Sequence, residues 1–89
     1  MKAVVFYESA ADATMDKIME VYPRHKARVD EFAEAGRVIG IGPFGNPGEG
    51  SMGIFRDMES AEEFVKDDPF VLEGIVAKHT IKLWNDDLL

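Results

Sequence analysis

The sequence predicts an α+β fold with its elements in the order β-α-β-β-α-β. Three observations carry that prediction. The chain opens on a β-branched and aromatic run. Two amphipathic helical stretches follow at a distance from each other, each closed by a glycine. Between them a glycine- and proline-rich connection joins two short apolar runs. Eighty-nine residues make one domain, 1–89. A domain of this size hides only about 60–65 % of the surface its unfolded chain exposes. With 46 % hydrophobic residues, the chain has more apolar surface than one small core absorbs.

Lys2 to Tyr7 has no polar residue between Ala3 and Tyr7, so both faces of this strand read as buried: Ala3, Val5 and Tyr7 on one, Val4 and Phe6 on the other. Thr14 caps a short helix through Val21, with Asp16 in its first turn. Pro23 disfavours helical geometry at Tyr22, so a break is expected there and a second helix from Pro23 to about Ala35, stopped by Gly36. Its apolar stripe is Tyr22, Val29, Phe32, Ala33 and Gly36, with His25 on the same face near the helix start. Arg37–Gly42 and Ser51–Arg56 form an antiparallel hairpin around the loop from Gly42 to Gly50. Ser60, with Glu63 three residues on, reads as a capping box for the next helix. Asp68-Pro69 then opens a short helical turn that Gly74 closes, and Ala77–Trp84 is the last strand.

This order is the ferredoxin-like pattern, a four-stranded antiparallel sheet with helices on one face and the first strand central. Helices cover one side only. A second copy of the chain is the simplest cover for the other, which predicts a homodimer.

The net charge of −7 repels phosphate backbones, and the cluster Arg24, His25, Lys26 and Arg28 lies among acids, so nucleic acid is not expected as a partner. No run approaches the roughly 20 apolar residues of a membrane span, and the apolar N-terminus is too short for a signal peptide, which makes the cytoplasm the expected location. The absence of cysteine excludes disulfides, thiolate metal sites and a cysteine nucleophile. His25 and His79 lack metal-type spacing, so neither a metal nor another cofactor is expected. The loop from Gly42 to Gly50 lacks the Gly-Lys-Ser or Gly-Lys-Thr of a phosphate loop and joins two strands; it reads as a connection or a pocket wall.

His25 is either a packing residue or a general acid–base in a cleft. Asp68 is either a helix cap or the carboxylate that orients His25. The residues alone leave both open.

Three segments taken together resemble the YciI-like family: Tyr22-Pro23-Arg24-His25 with the helix after it and the run Gly36 to Pro43; Ser60-Ala61-Glu62-Glu63-Phe64 leading to Asp68-Pro69-Phe70-Val71 and Gly74; and the closing Ile81-Lys82-Leu83-Trp84. The resemblance implies a dimeric α+β barrel fold and a catalytic His–Asp pair at His25 and Asp68. Where members often carry arginine before the Pro-x-His, this chain has Tyr22, with Arg24 inside the motif. The resemblance implies proton transfer by His25 on a small cyclic or aromatic molecule, by isomerisation, halide elimination or hydrolysis. Asp68 would hold the imidazole, Phe44 and Phe70 would line the pocket with Tyr22 and Arg24 beside them, and Gly42 and Pro43 would shape its rim. The competing reading is a dimeric module that binds a small ligand without chemistry.

Overall fold

The computed structural model describes residues 1–89. Its elements are β1 (Lys2–Ser9), α1 (Met15–Glu34), β2 (Val38–Pro43), β3 (Ser51–Phe55), α2 (Met58–Asp67), α3 (Pro69–Leu72) and β4 (Val76–Trp84). The sheet order is β2-β3-β1-β4 with every pair antiparallel, so the fold is the ferredoxin-like α+β arrangement and β1 is internal.

Pairing register sorts the side chains into two faces. Ala3, Val5 and Tyr7 stand opposite Phe55, Gly53 and Ser51 on β3 and opposite Leu83, Ile81 and His79 on β4. On this side Ala3, Val5, Tyr7 and Phe55 join Phe32 of α1 and Ala61, Phe64 and Val65 of α2 in one buried cluster. Val4 and Phe6 pair with Ile54 and Met52 on the other face, which no helix covers.

The expected break at Tyr22 does not occur: α1 runs unbroken for 20 residues with Pro23 inside it. Proline forfeits the bond to the carbonyl of Met19, and Met19 lies on the exposed side, where water replaces the lost donor. The buried residues Val21, His25 and Phe32 flank the proline on the opposite side and hold both halves of the helix against the rest of the fold. Propensity is overridden by packing. The buried stripe accordingly begins at Val21, while Tyr22 and Ala33 are exposed. Thr14 does cap α1, its side chain accepting from Lys17 N–H. Gly36 (φ 70°) ends the helix in a Schellman turn, with Gly36 N–H donating to Ala33 O and Arg37 N–H to Phe32 O.

The cap of α2 is Asp57 rather than the expected Ser60, and it accepts from Ser60 N–H at 2.8 Å. Ser60 lies inside the helix, buried, with its hydroxyl accepting from Arg37 Nε, and Glu63 pairs with Arg37 rather than reaching back to a cap.

Candidate functional site

Asp68 is the single residue between α2 and α3, with extended backbone (φ −65°, ψ 121°). Pro69 after it disfavours a helical conformation there, which ends α2 and frees the Asp68 side chain to cap α3. Oδ1 accepts from Phe70 N–H at 3.1 Å. The cap is also the centre of a site, because α1 and β1 close over it and leave Asp68 with no solvent exposure.

Oδ1 accepts a second bond from Nδ1–H of His25, at 2.7 Å, and Oδ2 accepts from the hydroxyl of Tyr7, at 2.6 Å. A carboxylate only accepts, so these contacts place an imidazole proton on Nδ1; in the neutral ring Nε2 then carries the lone pair. No buried side-chain nitrogen or oxygen lacks a partner, and Nε2 makes no bond within the protein, so Nε2 is not sealed, and His25 itself lines a cavity. Burial raises the Tyr7 phenol far above its usual range, and the charge of Asp68 and the bond to it add to the effect, so Tyr7 stays protonated as a donor.

His25 sits near the middle of α1, not in the first turn that a break at Pro23 would have given it. The helix dipole is felt chiefly within the terminal turns and so has little hold on it. Its ring lies parallel to that of Phe70, with centroids 4.0 Å apart and planes 11° apart, and meets the edge of Phe64. Phe70 therefore touches both members of the pair, through its backbone N–H and its ring.

The cavity in front of His25 has a volume of about 340 Å³ and lies between α1 and the sheet. That is near the lower end for ligand pockets and suits a molecule of one ring. Its wall is mainly apolar, with Val5, Phe55, Ile41 and Phe70 prominent and the polar groups of Tyr7, Ser9, Ser51 and Lys26 spaced around it. Of the residues singled out in the sequence, Tyr22, Gly42, Pro43 and Phe70 share this cavity with His25, and Asp68 stands behind it. Arg24 and Phe44 do not. Arg24 is exposed and turned 3.7 Å from Glu73, and Phe44 is exposed at the start of the β2–β3 loop.

Tyr7 reads from the sequence as no more than a core or interface residue. Its signal was a phenol ending the otherwise apolar series Ala3, Val5, Tyr7 on the helix-facing side of β1. A buried phenol needs a partner for its hydroxyl, and a buried aspartate is the strongest acceptor available.

A ferredoxin-like sheet whose covered face holds a buried histidine–aspartate pair behind an aromatic-walled cavity defines the class of domain. Residues 1–85 match the YCII-related domain, and the chain belongs to that family. Three solved structures share the fold. Against 5-chloro-2-hydroxyhydroquinone dehydrochlorinase from Burkholderia phenoliruptrix, in complex with 2,5-dihydroxybenzoquinone, the TM-score is 0.77 at 18% identity, covering 98% of this chain and 96% of that one. A protein from Arabidopsis thaliana gives 0.54 at 15% identity, covering 99% and 96%. A dimeric protein of unknown function and ferredoxin-like fold from Bacteroides fragilis gives 0.54 at 14% identity, covering 91% and 90%. Comparison with curated protein sequences finds no match.

Proposed function

We propose that the chain is a small acid–base enzyme in which His25 moves a proton on a planar, ring-sized, hydroxylated substrate, and that it works as a homodimer. The observation that carries the reading is the arrangement at Asp68. A fully buried carboxylate accepts from Nδ1–H of a histidine that lines a cavity of one-ring size. Nε2 takes a proton from the substrate, and the imidazolium that forms is stabilised by the Asp68 carboxylate and by the face of Phe70. The substrate skeleton holds the released electron pair as an enolate. The proton on Nε2 then returns at a ring carbon, which by itself is isomerisation; where that carbon carries a halogen, loss of a second hydroxyl proton to solvent drives the halide out as the anion and leaves the quinone. The likeness to a dehydrochlorinase of a chlorinated hydroquinone supports the second course.

The test is incubation with 5-chloro-2-hydroxyhydroquinone, following chloride release and quinone absorbance. The expected outcome is turnover by the protein as purified and none by His25→Asn at equal folded concentration. Turnover that survives His25→Asn would end the proposal. Chelation with EDTA is expected to leave turnover unchanged, since no three His, Cys, Asp or Glu side chains gather to hold a metal ion.

The dimer rests on the uncovered face of the sheet, where Phe6, Met52 and Ile54 remain partly exposed around Val4, and on the dimeric neighbour from Bacteroides fragilis. Light scattering is expected to give twice the 9.9 kDa of one chain. A charge at the centre of that face, Phe6→Glu, is expected to shift the mass toward the monomer. A monomeric parent protein at micromolar concentration would contradict this.

A further inference from the structure

We infer that Tyr7 is a positioning residue of this site. By occupying Oδ2 of Asp68 it holds the carboxylate in one orientation, and through it fixes the His25 imidazole with its proton on Nδ1 and its lone pair toward the cavity. The inference deepens the proton-transfer reading and rests on that reading for its kinetic consequence, while its structural consequence stands on the hydrogen bonds themselves.

Three donors from three elements converge on Asp68, with Tyr7 from β1, His25 from α1 and Phe70 N–H from α3. They divide between its oxygens. Oδ1 faces the helices and serves His25 and Phe70, and Oδ2 faces the sheet and serves Tyr7 alone. Rotation of the carboxylate would exchange the two oxygens, and it would have to break all three bonds. Without Tyr7, Oδ2 would be a buried acceptor with no donor, in a place that excludes water. The carboxylate would then be free to turn, and Nδ1 would lose the fixed acceptor that selects its protonated form, so that the ring could equally settle with its proton on Nε2, a donor in place of a base.

The hydroxyl that prevents this is rigidly placed. Tyr7 is buried on an internal strand, its backbone paired with Ser51 on one side and His79 on the other. Gly50, at φ 89°, lies so close that a Cβ there would collide with the Tyr7 carbonyl oxygen. The ring also fills core volume, and a role in packing alone is the competing explanation. Tyr7→Phe separates the two, because it keeps the ring and removes only the hydroxyl.

The experiment is ¹⁵N NMR of the histidine rings in the full chain, with His79→Gln used to assign the two sets of signals. The unaltered protein is expected to show His25 Nδ1 protonated and Nε2 bare. In Tyr7→Phe the share of that tautomer is expected to fall by about half or more. With 5-chloro-2-hydroxyhydroquinone as substrate, kcat is expected to fall about tenfold with KM within about twofold, the signature of an interaction realised in the chemical step. A folded Tyr7→Phe whose His25 signals match the parent overturns the inference. If Tyr7→Phe does not fold, fluorotyrosine incorporated into Tyr22→Phe leaves Tyr7 as the one labelled tyrosine and strengthens its hydroxyl as a donor. The His25 ring signals must then move relative to unlabelled Tyr22→Phe, and a lack of movement equally overturns it. Should the parent protein turn over no substrate, the proton-transfer reading fails while the NMR comparison still decides the place of Tyr7.

Discussion

The helix α2 lies between two aspartates that do the same local work. Asp57 caps its start and accepts from Ser60 N–H. Asp68 follows its end and caps α3 by accepting from Phe70 N–H. Their surroundings separate them. The Asp57 side chain is about half exposed, and its second oxygen lies 3.4 Å from the exposed Arg56. Asp68 is sealed beneath α1 and β1. Water can meet the spare lone pairs of Asp57. For Asp68 only protein donors can, and the fold supplies His25 and Tyr7. Burial thus turns a cap into the anchor of a site, because desolvation makes every unmet lone pair costly.

The sharpest way to break this comparison is to remove both side chains. Asp68→Ala leaves three donors without an acceptor and is expected to cost about 3 kcal/mol or more of stability, read as a lowered urea midpoint, and to end turnover. Asp57→Ala is expected to lower the melting temperature by only a few degrees and to leave turnover intact. Similar losses from the two would mean that the buried bonds contribute little. Asp68→Asn sharpens the contrast. Asparagine caps about as well as aspartate, so much of the stability should return, yet an amide lacks the charge that the proposed mechanism uses to steady the imidazolium. Turnover is expected to stay depressed by about 10²–10⁴-fold.

The same pair of caps shows what the sequence made legible. The succession of elements along the chain and the turns at Gly36 and Gly74 follow from local rules, since periodicity, a positive φ and a closing carbonyl need only neighbours along the chain. Asp68 as a cap was legible for the same reason. The continuity of α1 through Pro23 was not, because it depends on burying Val21, His25 and Phe32 against distant elements. Nor was Asp57, since Ser60 with Glu63 satisfies the capping pattern equally well, and only the approach of Arg37 diverts both of those side chains. His25 and Asp68 were paired by resemblance; 43 residues of separation carry no geometric signal. Tyr7 was missed because its partner lies 61 residues away, and a lone phenol at a strand end reads as core.

A smaller effect is expected in front of Asp68, at the floor of the cavity. Gly53 is buried on the internal strand β3, facing α1 between Val5 and Ile41. It has no positive φ to require glycine, and glycine weakens a strand. Space explains it: a Cβ would lie 3.0 Å from Phe55 Cε1 and 3.3 Å from the Ile41 side chain. Gly53→Ala is expected to leave Asp68 and its three bonds untouched while weakening binding of the proposed substrate, 5-chloro-2-hydroxyhydroquinone, about tenfold, read as a raised KM. Pairing it with Ile41→Val relieves the crowding and should restore part of that loss. Unchanged binding would show that the ligand sits elsewhere than against this floor.

The smallest effect belongs to Asp57, and it is a matter of pH. Hydrogen bonds from Ser60, side chain first and then backbone, hold the Asp57 carboxyl below its usual value of 3.8. A folded value below the unfolded one gives a contribution fully present above about pH 3.8 and lost as pH falls through the lowered value. Because the group is exposed, solvent screening keeps that contribution small. Asp57→Asn retains the cap but cannot titrate. Melting curves of the two proteins are therefore expected to differ by a constant, small amount above about pH 5 and to converge in acid, as the parent loses the advantage of its charge. Turnover at neutral pH should be equal in both, because nothing connects Asp57 to His25. A variant that lost turnover, or whose deficit persisted undiminished in acid, would show that Asp57 is tied to the site by more than its cap.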